Sequence, residues 1–138
     1  MKTKFFRIVN EISNLENLID QIDAFLVECY LSAKAIFNIK LCIDELVSNS
    51  INYGYPNKSS GEIEIYLTID NDIAKIIVID NAIEYNPLKS ADPNLDTLLD
   101  ERQIGGLGVF LVKQLTIQQS YSRINDKNVF EFTIQLVD

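Results

Sequence analysis

The sequence has 138 residues, of which 47% are hydrophobic, and its formal net charge at pH 7 is −8. This length is typical of a single domain and is sufficient to bury one substantial core. The negative charge disfavours non-specific binding to nucleic acid and to anionic lipid, so neither nucleic acid nor a membrane is an expected partner. We therefore expect one domain over residues 1–138.

The cysteines and the N-terminus predict a cytoplasmic protein. Cys29 and Cys42 fall in predicted helices, and two thiols form neither a disulfide framework nor a metal-ligand pattern. No apolar run approaches the ~20 residues needed to span a bilayer. The opening stretch "MKTKFFRIVNEI" lacks the apolar segment and cleavage site of a signal peptide, so export is not expected.

The first part of the chain predicts an edge strand and two helices. The stretch "TKFFRIV" has the composition of a strand, and a helix is expected to follow it with Ser13 or Asn14 as its N-cap. The apolar residues of this helix recur at helical spacing and are Leu15, Leu18, Ile19, Ile22, Phe25 and Leu26. A second helix is expected from Ala33 to Asn52. Its core face is formed by Ile36, Ile39, Ile43, Leu46, Val47 and Ser50.

A hairpin is predicted next. The stretch "EIEIYLTI" alternates strictly between apolar and polar residues, which is typical of a strand with one buried face. The stretch "IAKIIVI" is nearly continuous in apolar residues, which predicts a strand buried on both faces. A turn at "DND" would join the two strands.

A long loop over residues 86–106 separates the hairpin from a helix at "LGVFLVKQL" and a short strand at "QSYSRI". The final stretch, "VFEFTIQLV", alternates as a strand. Its inward residues would be Phe130, Phe132, Ile134 and Leu136. The order of elements predicts an α+β fold, a two-layer α/β sandwich with helices on one face of a mixed, largely antiparallel sheet.

Three polar residues share one side of the second predicted helix. At ~100° per residue, Glu45, Asn49 and Asn52 fall in a narrow sector well away from the apolar face. A solvated helix face explains such residues without any function. Alternatively, a carboxylate one turn from a carboxamide provides a proton acceptor and a neutral oxygen ligand for Mg²⁺. The segment alone leaves both interpretations open.

A carboxylate, Asp80, ends the second strand of the hairpin. Its side chain can form a turn by accepting a hydrogen bond from the backbone two residues on. It can also lie at the floor of an apolar pocket and accept a hydrogen bond from an exocyclic amine, such as the 6-amino group of adenine. Both roles are consistent with the sequence.

Three glycines, Gly105, Gly106 and Gly108, immediately precede the last predicted helix. Glycines let backbone N–H groups approach an anion closely, and the start of a helix adds a partial positive charge. This arrangement suits phosphates, although glycines also occur in ordinary loops. The spacing matches neither a Walker A loop nor a dinucleotide-binding G-x-G-x-x-G.

Taken in order, the stretches "DELVSNSINYGYP", "DNAIEYNP" and "GGLGVFLVKQL" resemble the N, G1 and G2 boxes of the Bergerat-fold ATPases. This group includes the nucleotide domains of gyrase, histidine kinases and heat-shock chaperones. The resemblance covers essentially the whole chain and is strongest to the stand-alone anti-sigma factor serine/threonine kinases. Because three ordered motifs are more specific than any one, functional roles for Glu45 and Asn49 are favoured over a solvated face.

The resemblance implies a role for each matching residue. Glu45 would be the general base and Asn49 would bind Mg²⁺, with Asn52 a weaker candidate on the phosphate side. Asp80 would read the adenine amine. The G2 box would cap the phosphates with Gly105, Gly106, Leu107 and Gly108, under a mobile lid formed by residues 86–104. Arg102 is placed to neutralise the γ-phosphate, the alternative being a solvated lid charge.

The chain departs from the family pattern at one position of the nucleotide site. The G1 box of the family reads Asp-x-Gly, whereas here it reads Asp80, Asn81, Ala82. A methyl group at Ala82 therefore stands where glycine gives the base close approach to the backbone. The methyl group is tolerated if the local φ is negative, or it costs part of the contact with the base, or it belongs to a filled pocket that binds no nucleotide.

The resemblance implies a cytoplasmic, ATP- and Mg²⁺-dependent protein serine/threonine kinase, usually a homodimer. Its substrate would be an anti-sigma-factor antagonist protein, and when not engaged with it the kinase would hold a sigma factor. The chain contains no histidine, so it is not a histidine kinase carrying its own phosphoacceptor. The alternative is a non-catalytic or ATP-gated protein-binding module of the same fold, which Ala82 favours and which Glu45, Asn49 and the glycines oppose.

Overall fold

The computed structural model describes residues 1–89 and 106–137. Its five described strands are β1 (Lys2–Val9), β2 (Glu62–Asp70), β3 (Ile73–Asp80), β4 (Gln118–Ile124) and β5 (Lys127–Gln135). They form one sheet in the order β1-β2-β3-β5-β4. Every pairing between these strands is antiparallel, so the predicted α+β sandwich is confirmed but its sheet is antiparallel rather than mixed.

The described helices are α1 (Leu15–Glu28), α2 (Ala33–Tyr53) and α3 (Gly106–Leu115). All of them contribute buried side chains to one apolar cluster against the sheet, so the helices form the second layer. Helix α2 extends one residue beyond its predicted end. In the described part of the chain, no helix is long and apolar enough to cross a membrane.

The two long helices begin differently. Ser32 is the N-cap of α2, and its hydroxyl accepts a hydrogen bond from the backbone N–H of Ala35 at 3.1 Å, the usual capping contact. Asn14 is the N-cap residue of α1, as one of the two predicted caps, but its side chain makes no capping bond. Its amide donates instead to the carbonyl oxygen of Val9 at 3.1 Å, which ties the helix start to the end of β1.

The core lies between the helices and one face of the sheet. In β2, Ile63, Ile65 and Leu67 are fully buried, as the alternation predicts. The predicted inward residues of β5 are likewise buried, except that Leu136 follows the strand and is only partly buried. Full burial of such side chains stabilises the fold by about 1.5–3 kcal/mol each, which makes this face the main source of stability.

Strand β3 is not buried on both faces, contrary to the sequence-based prediction. Ala74, Ile76 and Val78 are buried, but Ile77 and Ile79 on the opposite face are only partly covered. The reason is that the helices cover one face of the sheet. Central strands favour β-branched residues on an open face as well, since they pack against their cross-strand neighbours.

Both cysteines are free thiols, as expected, but only one lies within a helix. Cys42 is fully buried in α2, and burial, with a smaller contribution from the charge of Glu45, raises the pKa of its thiol to about 12. Cys29 lies one residue beyond the end of α1. Cys42 is therefore a protonated core side chain rather than a reactive thiolate.

Candidate functional site

A cavity of about 410 Å³ opens between α2 and the adjoining ends of β3 and β5. Its described lining residues are Leu46, Asn49, Ser50, Tyr53, Gly54, Val78, Asp80, Ala82, Ile83, Glu84, Tyr85, Pro87, Tyr121, Asn128 and Phe130. Most of this surface is apolar, and a small set of polar groups converges on it. This combination is typical of a small-molecule site.

The carboxylate of Asp80 is held by donors from different elements. Its Oδ2 accepts a hydrogen bond from the Ser50 hydroxyl of α2 at 2.8 Å. Its Oδ1 accepts from the backbone N–H of Ala82 at 3.1 Å, which is the turn contact considered from the sequence. Asp80 thus makes the turn and also lines the cavity, so the two sequence interpretations describe compatible contacts rather than alternatives.

Ala82 is packed against Gly54, the residue that follows α2. Ala82 is only 4% exposed and does not have a positive φ, which is the condition under which its methyl group is expected to be tolerated. A Cβ atom at position 54 would lie 2.6 Å from the Cβ of Ala82, so a glycine there makes room for the methyl group. The N–H of Ile83 donates to the carbonyl oxygen of Gly54 at 2.9 Å and fixes this approach.

Glu45 lies where α2 meets the start of α3. A Cβ atom at position 108 would overlap Oε2 of Glu45, the end of a flexible side chain, which would have to shift. The pKa of Glu45 is raised above its ordinary value, mainly by burial and further by the charge of Asp44. A partly buried carboxylate with a raised pKa, next to a glycine that leaves space, is suited to accept a proton.

Of the other predicted site residues, only some lie at the cavity within the described part of the chain. Asn49 is partly buried and lines the cavity, whereas Asn52 is exposed and is not among the described lining residues. Gly106 begins α3 and is followed by Leu107. Arg102, Gly105 and residues 90–104 of the predicted lid lie outside the described residues.

Sequence reasoning missed Ser50 and Asn128 as site residues. The first was assigned only to the core face of α2, and the second was not considered. Ser50 is 8% and Asn128 7% exposed, and both donate hydrogen bonds to Asp80. The available signal was a polar residue at an inward position, because Asn128 continues the alternation of Phe130 and Phe132, and buried polar groups nearly always have partners.

The layered α+β fold, the strand-end carboxylate in an apolar cavity and the glycine at the start of α3 agree with the features that the three sequence motifs led us to expect. The comparison with protein families agrees: the sequence signature of the histidine kinase-like ATPase domain matches residues 8–134. The chain belongs to this family, which confirms the resemblance found from the three sequence motifs.

Similar proteins include kinases and anti-sigma factors. The serine/threonine-protein kinase BtrW of Bordetella bronchiseptica is 28% identical over 102 residues, which cover 74% of this chain and 72% of BtrW. The anti-sigma F factor of Clostridium beijerinckii is 29% identical over 85 residues, covering 62% of this chain and 59% of that protein. The serine-protein kinase RsbW of Listeria monocytogenes is 27% identical over 88 residues, covering 61% and 56%. The chain thus spans less than two thirds of the length of the last two relatives.

Solved structures show the same fold. The RsbU and RsbW domains of Rv1364c from Mycobacterium tuberculosis match with a TM-score of 0.70 at 15% identity, over 99% of this chain and 33% of that chain. The blue-light activated histidine kinase EL346 of Erythrobacter litoralis matches with a TM-score of 0.56 at 16% identity, over 77% and 32%. At these identities the likeness establishes the fold alone.

We expect Gly54→Ala to lower the free energy of unfolding by about 1–3 kcal/mol, the usual cost of overpacking. The added methyl group would lie 2.6 Å from the Cβ of Ala82 and 2.7 Å from the carbonyl oxygen of Ser50. Since only the first contact involves Ala82, the double variant Gly54→Ala/Ala82→Gly should recover part of the loss. Chemical denaturation of the four proteins measures this coupling, and strictly additive effects would contradict the contact.

The carboxylates of Asp44 and Glu45 both have raised pKa values because of burial, so the folded protein holds these protons more tightly than the unfolded chain. For Glu45, the protonated carboxyl contributes stability that is fully present below pH 4.5, its ordinary pKa. This stability is lost as the pH rises through the higher folded-state pKa. Glu45→Gln should therefore raise the melting temperature more at pH 7 than at pH 4. Glu11→Gln, at an exposed carboxylate, is the matched control. An equal gain at both pH values would show that burial of the Glu45 charge carries no cost.

Proposed function

We propose that this protein is an ATP-dependent protein serine/threonine kinase and anti-sigma regulatory factor that phosphorylates an anti-sigma-factor antagonist protein. The observation that carries the proposal is the convergence of Asp80 and Asn49 on one apolar cavity, in a chain of the histidine kinase-like ATPase family. Relatives named as serine-protein kinases and as an anti-sigma F factor support the choice within that family.

The adenine base would occupy the apolar part of the cavity. Leu46, Val78 and Phe130 offer surfaces against which an aromatic base can pack. Asp80 would accept a hydrogen bond from the 6-amino group, and the backbone at Ala82 would lie beside the ring. This arrangement would favour adenine over guanine, because guanine carries an acceptor where adenine carries a donor.

The phosphates would extend from the base toward Asn49 and the start of α3. Asn49 provides one neutral oxygen ligand, which fits Mg²⁺, since this ion is usually held by one or two protein ligands together with substrate phosphates and water. Within residues 1–89 and 106–137, no cluster of three or more acidic, histidine or cysteine side chains would hold a metal alone. Roles for Asn52, Arg102, Gly105, Gly106 and Leu107 at the phosphates remain predictions.

Glu45 would act on the acceptor serine or threonine. As the hydroxyl oxygen attacks the γ-phosphorus, the bond from that phosphorus to the β–γ bridging oxygen breaks and ADP leaves. The hydroxyl proton passes to the Glu45 carboxylate, whose raised pKa makes it a better proton acceptor than an ordinary exposed glutamate. Mg²⁺, when bound, would neutralise charge on the transferring phosphates.

The remaining features of the proposal depend on the family resemblance. The substrate would be a small antagonist protein, and a sigma factor would be bound when the antagonist is not engaged. A homodimer and a cytoplasmic location are proposed on the same basis. Affinity purification from the organism's own cells, with and without ATP, would identify both partners.

The second candidate function is a non-catalytic or ATP-gated protein-binding module, which the alanine at position 82 favours. Two observations support nucleotide binding, as the kinase requires, over a module with a filled pocket. The methyl group of Ala82 packs onto Gly54 rather than filling the cavity, and about 410 Å³ remains open beside it.

We expect Glu45→Gln to keep ATP binding and to lower phosphoryl transfer by ~10²- to 10⁴-fold, the usual contribution of a general base. The amide preserves the shape of the carboxylate but does not accept the proton. Transfer is measured with labelled ATP and the small protein that copurifies with the wild type. Glu11→Gln serves as the control, and undiminished transfer by Glu45→Gln would remove Glu45 from the proposed mechanism.

We expect wild-type protein to bind ATP more tightly in the presence of Mg²⁺, and Asn49→Ala to lose most of this dependence because an oxygen ligand is removed. Calorimetric titration of ATP with and without Mg²⁺ measures both effects. Asn38→Ala makes the same change earlier on α2, at a residue outside the described lining of the cavity, and is the matched control. No ATP binding by the wild type, with partner binding intact, would decide for the protein-binding module.

A further inference from the structure

Asn128 is a buried polar residue at the edge of the proposed base site. It stands opposite Asp80 in the antiparallel pairing of β3 and β5, and both residues lie on the inward face of the sheet. Its side chain is only 7% exposed, although its neighbours along that face, Val78 and Phe130, are apolar. A buried amide at such a position is costly unless each of its polar groups is paired.

The hydrogen bonds of Asn128 use both ends of its amide. The Nδ2 group donates to Oδ1 of Asp80 and to the carbonyl oxygen of Ile83, both at 2.8 Å. The Oδ1 atom accepts from the Tyr121 hydroxyl at 2.6 Å, and from Nη1 of Arg123 and the backbone N–H of Tyr85, both at 3.1 Å. Since donors meet acceptors at both ends, the reverse orientation of the amide is excluded and its N–H group is fixed toward Asp80.

The same network holds the segment that follows Asp80. Nη1 of Arg123 also donates to the carbonyl oxygen of Ala82 at 2.9 Å. Asn128 donates to the carbonyl oxygen of Ile83 and accepts from the N–H of Tyr85, so the β4–β5 hairpin fixes this cavity wall at three residues, 82, 83 and 85. Side chains of the hairpin therefore set the position of both the carboxylate and the backbone beside it.

We propose that Asn128 is the positioning residue that makes the cavity selective for adenine, an inference that rests on the proposed function. Donors from Ser50, Ala82 and Asn128 fix the plane of the Asp80 carboxylate. A carboxylate held in this way points one acceptor oxygen into the cavity. That oxygen would accept a hydrogen bond from the 6-amino group of adenine and would repel the 6-carbonyl oxygen of guanine. Without Asn128 one of the three donors to the carboxylate is lost, so its orientation is less restricted and the penalty against guanine falls.

The test compares ATP and GTP binding by calorimetry in the wild type and in Asn128→Asp. The variant places an acceptor against Oδ1 of Asp80 in a side chain of nearly the same shape. We expect the ATP-to-GTP affinity ratio to fall by about tenfold or more, as for loss of one hydrogen bond in a recognition site. Gln135→Glu makes the same change of amide to acid at an exposed position on β5 and should leave the ratio unchanged.

Tyr121→Phe removes one donor to Asn128 without altering the ring and should lower the ratio by a smaller factor. It replaces Asn128→Asp as the deciding variant if thermal unfolding shows that Asn128→Asp does not fold. A general loosening of the site would weaken both nucleotides alike, so an unchanged ratio in the deciding variant overturns the positioning role. A wild type that binds ATP and GTP equally also overturns it, whereas a wild type that binds neither contradicts the proposed function itself.

Discussion

The geometry of the site depends on how the carboxylate of Asp80 is held. Its two oxygens accept hydrogen bonds from three elements: from Ser50 of α2, from Ala82 in the turn after β3 and from Asn128 of β5. A partly buried carboxylate requires such partners, because an unpaired polar group costs about 1–3 kcal/mol or more when it loses water. The need to satisfy one charge therefore joins the helical layer to the sheet at the edge where the cavity opens.

Close packing at two glycines completes the site. Helix α2 presents its apolar residues to the sheet, while its polar side carries Glu45 and Asn49. Asn49 lines the cavity, and neighbouring backbone approaches α2 closely at Gly54, beside Ala82, and at Gly108, beside Glu45. At Gly54 the obstacle includes the backbone carbonyl of Ser50, so a small residue is required there independently of any ligand, whereas a larger residue at position 108 would require the Glu45 side chain to shift.

The elements of the fold were predictable from the sequence because periodicity is local. The alternation of β2 and the helical spacing of α1 predicted their buried faces correctly. Asn49 lies on the polar side of α2, away from its apolar face, and it lines the cavity. The pairing of Asp80 with Ser50 and Asn128 joins residues 30 and 48 positions apart, which periodicity does not encode. The open face of β3 was missed for a related reason: a run of β-branched residues reports strand propensity, while burial depends on which face the helices cover.

The departure at Ala82 shows why a motif position should be considered with its spatial neighbour. The family pattern places glycine at this position, yet here the backbone has no positive φ and the methyl group is accommodated by the absence of a side chain on Gly54. The glycine at position 54 therefore relieves two contacts, one with the Ala82 methyl group and one with the carbonyl oxygen of Ser50, and only the first of these depends on the residue at position 82. A weaker constraint links Glu45 to Gly108: a Cβ atom at position 108 would require the end of the Glu45 side chain to shift, so a substitution there would change the position of the proposed base. Residues of one motif thus contact residues of another element, Ala82 with Gly54 and Glu45 with Gly108, and a substitution at either position acts through that contact.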